Sequence, residues 1–86
     1  MKANDSYNKI LLILGTGLAG LREKKGYHTI TEFAKEYDLP EIQYGRMEKG
    51  QANITLKSLV KILAIHQLTI HDFFCMILTD EGFINN

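Results

Sequence analysis

The 86-residue sequence holds one cysteine, one proline and no excess of either charge, and each shortage narrows the class of protein. A lone thiol cannot build a disulfide framework, so cross-linked secreted folds are excluded and a reducing cytoplasm is the expected setting. The lone Pro40 and the lack of alternating β-branched runs leave helices as the expected elements. Ten Lys plus Arg against ten Asp plus Glu remove the blanket attraction to polyanions of a strongly basic protein. The uncharged run from Ile10 to Leu21 is too short for a spanning helix, which needs about 20 apolar residues. Asp5 precedes it, where a signal peptide keeps only positive charge, so neither secretion nor membrane contact is expected.

What is present fits one small domain over residues 1–86. Hydrophobic residues make up 45% of the chain, enough for one compact core and too few residues for a deep two-domain cleft. Charge is unevenly spread. Every Lys and Arg falls within residues 1–61, whereas Asp72, Asp80 and Glu81 are the only charged residues after that. A phosphate-facing surface therefore belongs in the first two-thirds.

Five helices can be read along the chain. Tyr7, Leu11, Leu14, Leu18 and Leu21 recur at intervals of four and three, which predicts a helix from about Ser6 to Lys24, ended by Gly26. Thr29 and Glu32 have the spacing of a reciprocal cap, and Ile30, Phe33, Ala34 and Tyr37 follow at helical intervals to about Asp38. Pro40 suits the first turn of a third helix, with Tyr44 and Met47 inward and Gly50 as its stop. So brief a link favours a wide crossing of the second and third helices. Thr55 is placed to cap a fourth, whose Leu56, Leu59, Val60, Leu63 and Ala64 form a broad apolar face. Thr69 and Asp72 repeat the cap for a fifth carrying Ile70, Phe73, Phe74, Ile77 and Leu78, and a turn from Asp80 to Gly82 leads to Phe83 and Ile84.

Certain residues in this frame form a recognisable set. They are Leu21, Arg22 and Gly26; Phe33 and Ala34; Tyr44 with Arg46-Met47-Glu48-Lys49-Gly50; then Leu56, Leu59, Ile62, Leu63, Leu68, Thr69 and Phe73-Phe74. In these residues the segment 21–74 resembles the Xre-like, or lambda-repressor-like, helix-turn-helix family of DNA-binding proteins. The resemblance implies an all-α, five-helix domain whose third helix enters the major groove while the second lies across the backbone. Helix 1 extends before the resembling segment, and an apolar tail, 75–86, follows it.

On that third helix Ile42, Arg46 and Lys49 fall at i, i+4 and i+7 on the outward stripe, flanked by Glu41, Gln43 and Gly45. Arg46 has the fork to clasp a guanine or to pair with a phosphate, Gln43 can pair with an adenine edge, Ile42 can pack on a thymine methyl, and Glu41 can accept from a cytosine amine. Glu41, Ile42, Gln43 and Arg46 are thus the expected base contacts. Arg22, Lys24, Lys25, Thr29, Lys49 and Lys57 are the expected phosphate contacts, helped by free amides at the starts of helices 2 and 3. Glu48 is read as structural, pairing with Arg22. Gly45 allows close approach either to DNA or to helix 2, or is merely tolerated there.

His71 and Cys75 lie four apart, but two ligands fall short of a structural zinc site, so no metal or cofactor is expected. No nucleophile–base spacing, phosphate loop or carboxylate pair marks an enzyme. Double-stranded DNA is the expected partner and transcriptional repression the expected role. A neutral domain gains affinity by binding as a homodimer on a palindromic site, and Phe74, Met76, Ile77, Phe83 and Ile84 form the expected dimer interface. The competing reading is a protein-interaction module, as in the antitoxin of a toxin pair, in which base reading has been lost; neutral charge and Glu41 favour it.

Overall fold

The computed structural model describes residues 2–80. These form α1 (Lys2–Lys24), α2 (Ile30–Glu36), α3 (Glu41–Glu48), α4 (Leu56–Ile65) and α5 (Ile70–Asp80), with no strand among the described residues. The order and number of helices match the sequence reading. Phe83, Ile84 and the turn expected before them lie outside the described residues. The helix α1 starts at Lys2 rather than near Ser6. Residues 2–5 contain no helix breaker, and Asp5 lies in the first turn, where the helix dipole favours an acid.

Threonines open three of the helices. The Thr29 hydroxyl accepts the Glu32 N–H at 3.1 Å and the Thr55 hydroxyl accepts the Ser58 N–H at 3.1 Å. At α5 both halves of the cap close: Asp72 N–H donates to Thr69 Oγ1 at 3.0 Å, and Thr69 N–H donates to the Asp72 carboxylate at 3.2 Å. The return bond expected from Glu32 does not form at α2. Pro40 stands just ahead of α3 as its N-cap rather than inside its first turn, and supplies no side-chain cap.

The ends of α1 to α4 follow one pattern. The chain turns through a left-handed residue, Gly26, Asp38, Gly50 or Gln67. The next N–H then reaches back to a carbonyl in the last turn: Tyr27 to Arg22, Leu39 to Ala34, Gln51 to Arg46 and Leu68 to Leu63. Glycine adopts that conformation freely, whereas Asp38 and Gln67 do so at a cost of about 1 kcal/mol each.

The chain packs as two compact units, residues 1–54 and 55–86. In the first, α3 is the shared partner of α1 and α2. Its buried hydrophobic side chains are Leu11, Leu18 and Leu21 of α1, Phe33 and Ala34 of α2, and Tyr44 and Met47 of α3. The Phe33 ring packs against those of Tyr44, Tyr37 and Tyr27 at centroid distances of 5.3, 5.0 and 5.5 Å. Leu14 of the expected α1 stripe is half-buried and Tyr7 is exposed.

In the second unit α4 packs on α5, the two axes bent by 87°. Leu59, Ile62, Leu63, Phe73 and Ile77 are buried. The broad face expected on α4 is therefore split: Leu56, Val60 and Ala64, at i, i+4 and i+8, form an exposed apolar stripe of their own. A helix of ten residues, nearly three turns, can bury about one side, and Ile62 takes the place expected for Val60. Among the described residues no single helix is long and apolar enough to cross a membrane.

Candidate nucleic-acid interface

Two close approaches fix α3 within the first unit. A Cβ on Gly15 would lie 2.4 Å from the Met47 carbonyl oxygen and 2.5 Å from that of Glu48, so α1 and the end of α3 meet backbone to backbone. A Cβ on Gly50 would lie 2.9 Å from the Leu12 Cα, and Gly50 is also left-handed. On the other flank, Gly45 is buried 3.6 Å from the Ile30 side chain, measured from where its Cβ would stand. That is ordinary contact with a side chain, so packing against α2 does not require a glycine here, and of the readings of Gly45 it is mere tolerance that fits this flank.

Below α3 lies a buried ion pair. Arg22 Nε donates to Glu48 Oε2 at 2.8 Å, Arg22 Nη2 to Glu48 Oε1 at 3.1 Å, and Arg22 Nη1 to the Tyr27 carbonyl oxygen at 2.7 Å. Arg22 is 6% exposed and Glu48 7%. The bond to Glu48 is the main cause that raises the guanidinium's already high pKa. Arg22 therefore does not take the phosphate-contacting place expected of it, since its fork is spent inward on a carboxylate and a carbonyl. Glu48 has the structural role read for it. The Tyr44 hydroxyl, buried near Glu48, is held protonated far above the ordinary phenol range, first by burial and then by that carboxylate.

With Tyr44, Gly45, Met47 and Glu48 inward, the other side of α3 carries Glu41, Ile42, Gln43 and Arg46, all exposed, and Lys49 follows as its exposed C-cap. Ile42 is 81% exposed. The Glu41 carboxylate accepts a 2.7 Å hydrogen bond from the Thr31 hydroxyl of α2, which leaves its other oxygen available. Arg46 Nη2 donates to the Gln51 carbonyl oxygen at 2.8 Å, so one edge of the guanidinium is tied to the following loop and the rest projects. The first amides of α3 receive no side-chain cap, because Pro40 has none to give.

Lys24, Lys25 and Thr29 are exposed in the same unit, and the Thr29 hydroxyl is already engaged as the cap of α2. Lys57 is exposed on α4, in the second unit. Of the expected dimer residues, Phe74 and Met76 are half-buried. Ile77 is 5% exposed and belongs to the core, so it has no surface to offer a partner: on α5 it lies four residues after Phe73 and shares its inward face. The His71 ring and the exposed Cys75 thiol approach to 3.6 Å, and no group of three metal-ligating residues occurs among those described.

The outer face of α3 is bare among the described residues, but it is one wall of an open groove rather than a free ridge. Tyr7, Asn8 and Leu11 of α1 form the opposite wall, and Gln51 and Asn53 line its end. None of these was anticipated as a functional residue. Nothing in their spacing marks them, because the groove joins residues more than thirty positions apart; the only hint was a helix 1 stripe that ran past the resembling segment.

A helix-turn-helix family model matches residues 18–73. The chain belongs to this family, the Xre-like or lambda-repressor-like helix-turn-helix proteins, a family of DNA-binding transcription regulators. No curated protein and no solved structure matches the chain.

Proposed function

We propose that this protein binds duplex DNA sequence-specifically as a homodimer and represses transcription by occupying its site. The observation that carries this reading is the two-sidedness of α3, which buries Tyr44 and Met47 while leaving Glu41, Ile42, Gln43 and Arg46 exposed. The major groove admits one helix, and these four side chains offer a donor fork, an amide, an acceptor and a methyl contact for base edges. Lys24, Lys25, Thr29 and Lys49 are the proposed phosphate contacts of the first unit, with Lys57 added from α4.

Dimerisation is proposed because each copy brings few cations to the duplex and a twofold site doubles them. The exposed stripe of Leu56, Val60 and Ala64, with half-buried Phe74 and Met76, is apolar surface of the kind that a second copy covers. Repression is the proposed role because occupying a site on duplex DNA is by itself enough to block other proteins from it.

Selection from a pool of random duplexes tests the reading. It is expected to return a palindromic sequence whose binding weakens steeply with salt. Arg46→Ala is expected to weaken the selected site by about 1–3 kcal/mol and to relax preference at one base pair in each half-site. Failure to enrich any sequence, with a salt-insensitive protein complex instead, would favour the interaction-module reading, which the 81% exposure of Ile42 supports.

A further inference from the structure

We infer that the part of α1 that precedes the family match is a second DNA-contacting element, in which Asn8, together with Asn53 of the loop after α3, grips a sugar-phosphate strand running in the groove beside α3. This rests on the DNA reading above and extends it to Asn8, which precedes the matched segment 18–73, and to Asn53 within that segment.

A recognition helix in the major groove has one backbone strand on each side of it. On one side of α3 stands α2, held by the Thr31–Glu41 hydrogen bond, with the Ile30 side chain beside Gly45. The groove lies on the other, between α3 and the amino-terminal part of α1. It is continuous with the reading face, since Gln43 and Arg46 line both. It encloses about 1160 Å³ and is open to solvent, which suits a polymer passing through rather than a small ligand enclosed on most sides.

The lining chemistry points the same way. Side-chain amides and hydroxyls make many of the phosphate contacts in protein–DNA complexes. The Tyr7 hydroxyl donates to Asn53 Oδ1 at 2.7 Å. That bond occupies the amide's acceptor and leaves its NH2 group to donate to an anion. Tyr7 is thus a positioning residue, and Asn8 and Asn53 are the contacts. Glu41, the only carboxylate lining the groove among the described residues, is hydrogen-bonded to Thr31 of α2. The wall is also rigid, because α1 touches backbone at both Gly15 and Gly50.

The test uses the full chain and a mixed-sequence DNA duplex, whose binding depends on phosphates and needs no known operator. Affinity is measured by anisotropy across a range of salt concentrations, and folding by thermal melting. Asn8→Lys is expected to tighten binding and to steepen the log–log salt slope by about 0.9. Asn8→Glu is expected to weaken binding about tenfold. Asn53→Asp keeps an acceptor for Tyr7 while removing the NH2 donor, and is expected to weaken binding to a similar degree. If wild type binds and Arg46→Ala weakens it while folded Asn8 and Asn53 variants keep wild-type affinity and slope, the inference fails and the DNA reading stands. If wild type binds no duplex, the DNA reading itself fails and this inference goes with it.

Discussion

Two glycines in the first unit make opposite demands on a methyl group. At Gly15 a Cβ would press into two carbonyl oxygens of α3, and backbone on both sides leaves nothing soft to yield. Gly15→Ala is therefore expected to destabilise the chain by about 2–3 kcal/mol, read as a lowered denaturation midpoint. Gly45 meets only Ile30, at ordinary contact distance, so Gly45→Ala is expected to leave stability unchanged or raise it by up to about 1 kcal/mol. Arg22 and Glu48 form a second pair with separable consequences. Glu48→Ala leaves a buried guanidinium unpaired and is expected to cost about 3–5 kcal/mol, whereas the joint change Arg22→Met with Glu48→Leu is expected to recover most of that loss. A folded double variant should keep the wild-type salt dependence on DNA; a slope lower by about one would return Arg22 to the phosphate contacts.

At the scale of helices, local chemistry legible in the sequence set most boundaries. Thr29, Thr55 and Thr69 open helices where their hydroxyls reach a free amide, and Gly26 and Gly50 close them where a left-handed residue is needed. The faces of α3 were legible for the same reason, since one helix turn decides which of Tyr44 and Arg46 points out. The reading lost ground wherever two elements had to be placed together. Leu56 and Val60 have the side chains of core residues, yet α4 turns them outward because Ile62 and Leu63 fill the inner side. Ile77 looked like surplus apolar surface and is core. Asp38 and Gln67 take left-handed turns that no glycine advertises.

The cap of α5 also gives a pH expectation. The Thr69 N–H, then its hydroxyl, holds the Asp72 carboxyl below the usual carboxylate range. The stabilisation is therefore complete above the unfolded-state pKa, about 3.9, and is lost as pH falls through the lower folded value. Asp72→Asn is expected to flatten the acid limb of the stability profile, with the change seen at α5 amides in hydrogen exchange.

For the molecule as a whole, the ion pair below α3 has a consequence for charge. With Arg22 turned inward, the exposed cations of the first unit, among the residues whose burial is described, are Lys9, Lys24, Lys25, Lys35, Arg46 and Lys49. So small a set suits binding by two copies, as proposed. Val60→Asp places a charge in the exposed stripe of α4 and should shift sedimentation towards monomer, lowering affinity for a palindromic duplex more than for a single half-site. An unchanged sedimentation profile would remove α4 from the interface.

That measurement has to respect Cys75. Its thiol is exposed, and it is the sole cysteine of the chain, so any disulfide between cysteines of this protein has to bridge two molecules through α5. A species of doubled mass that vanishes with reductant would report sulfur chemistry rather than association, and Cys75→Ser separates the two.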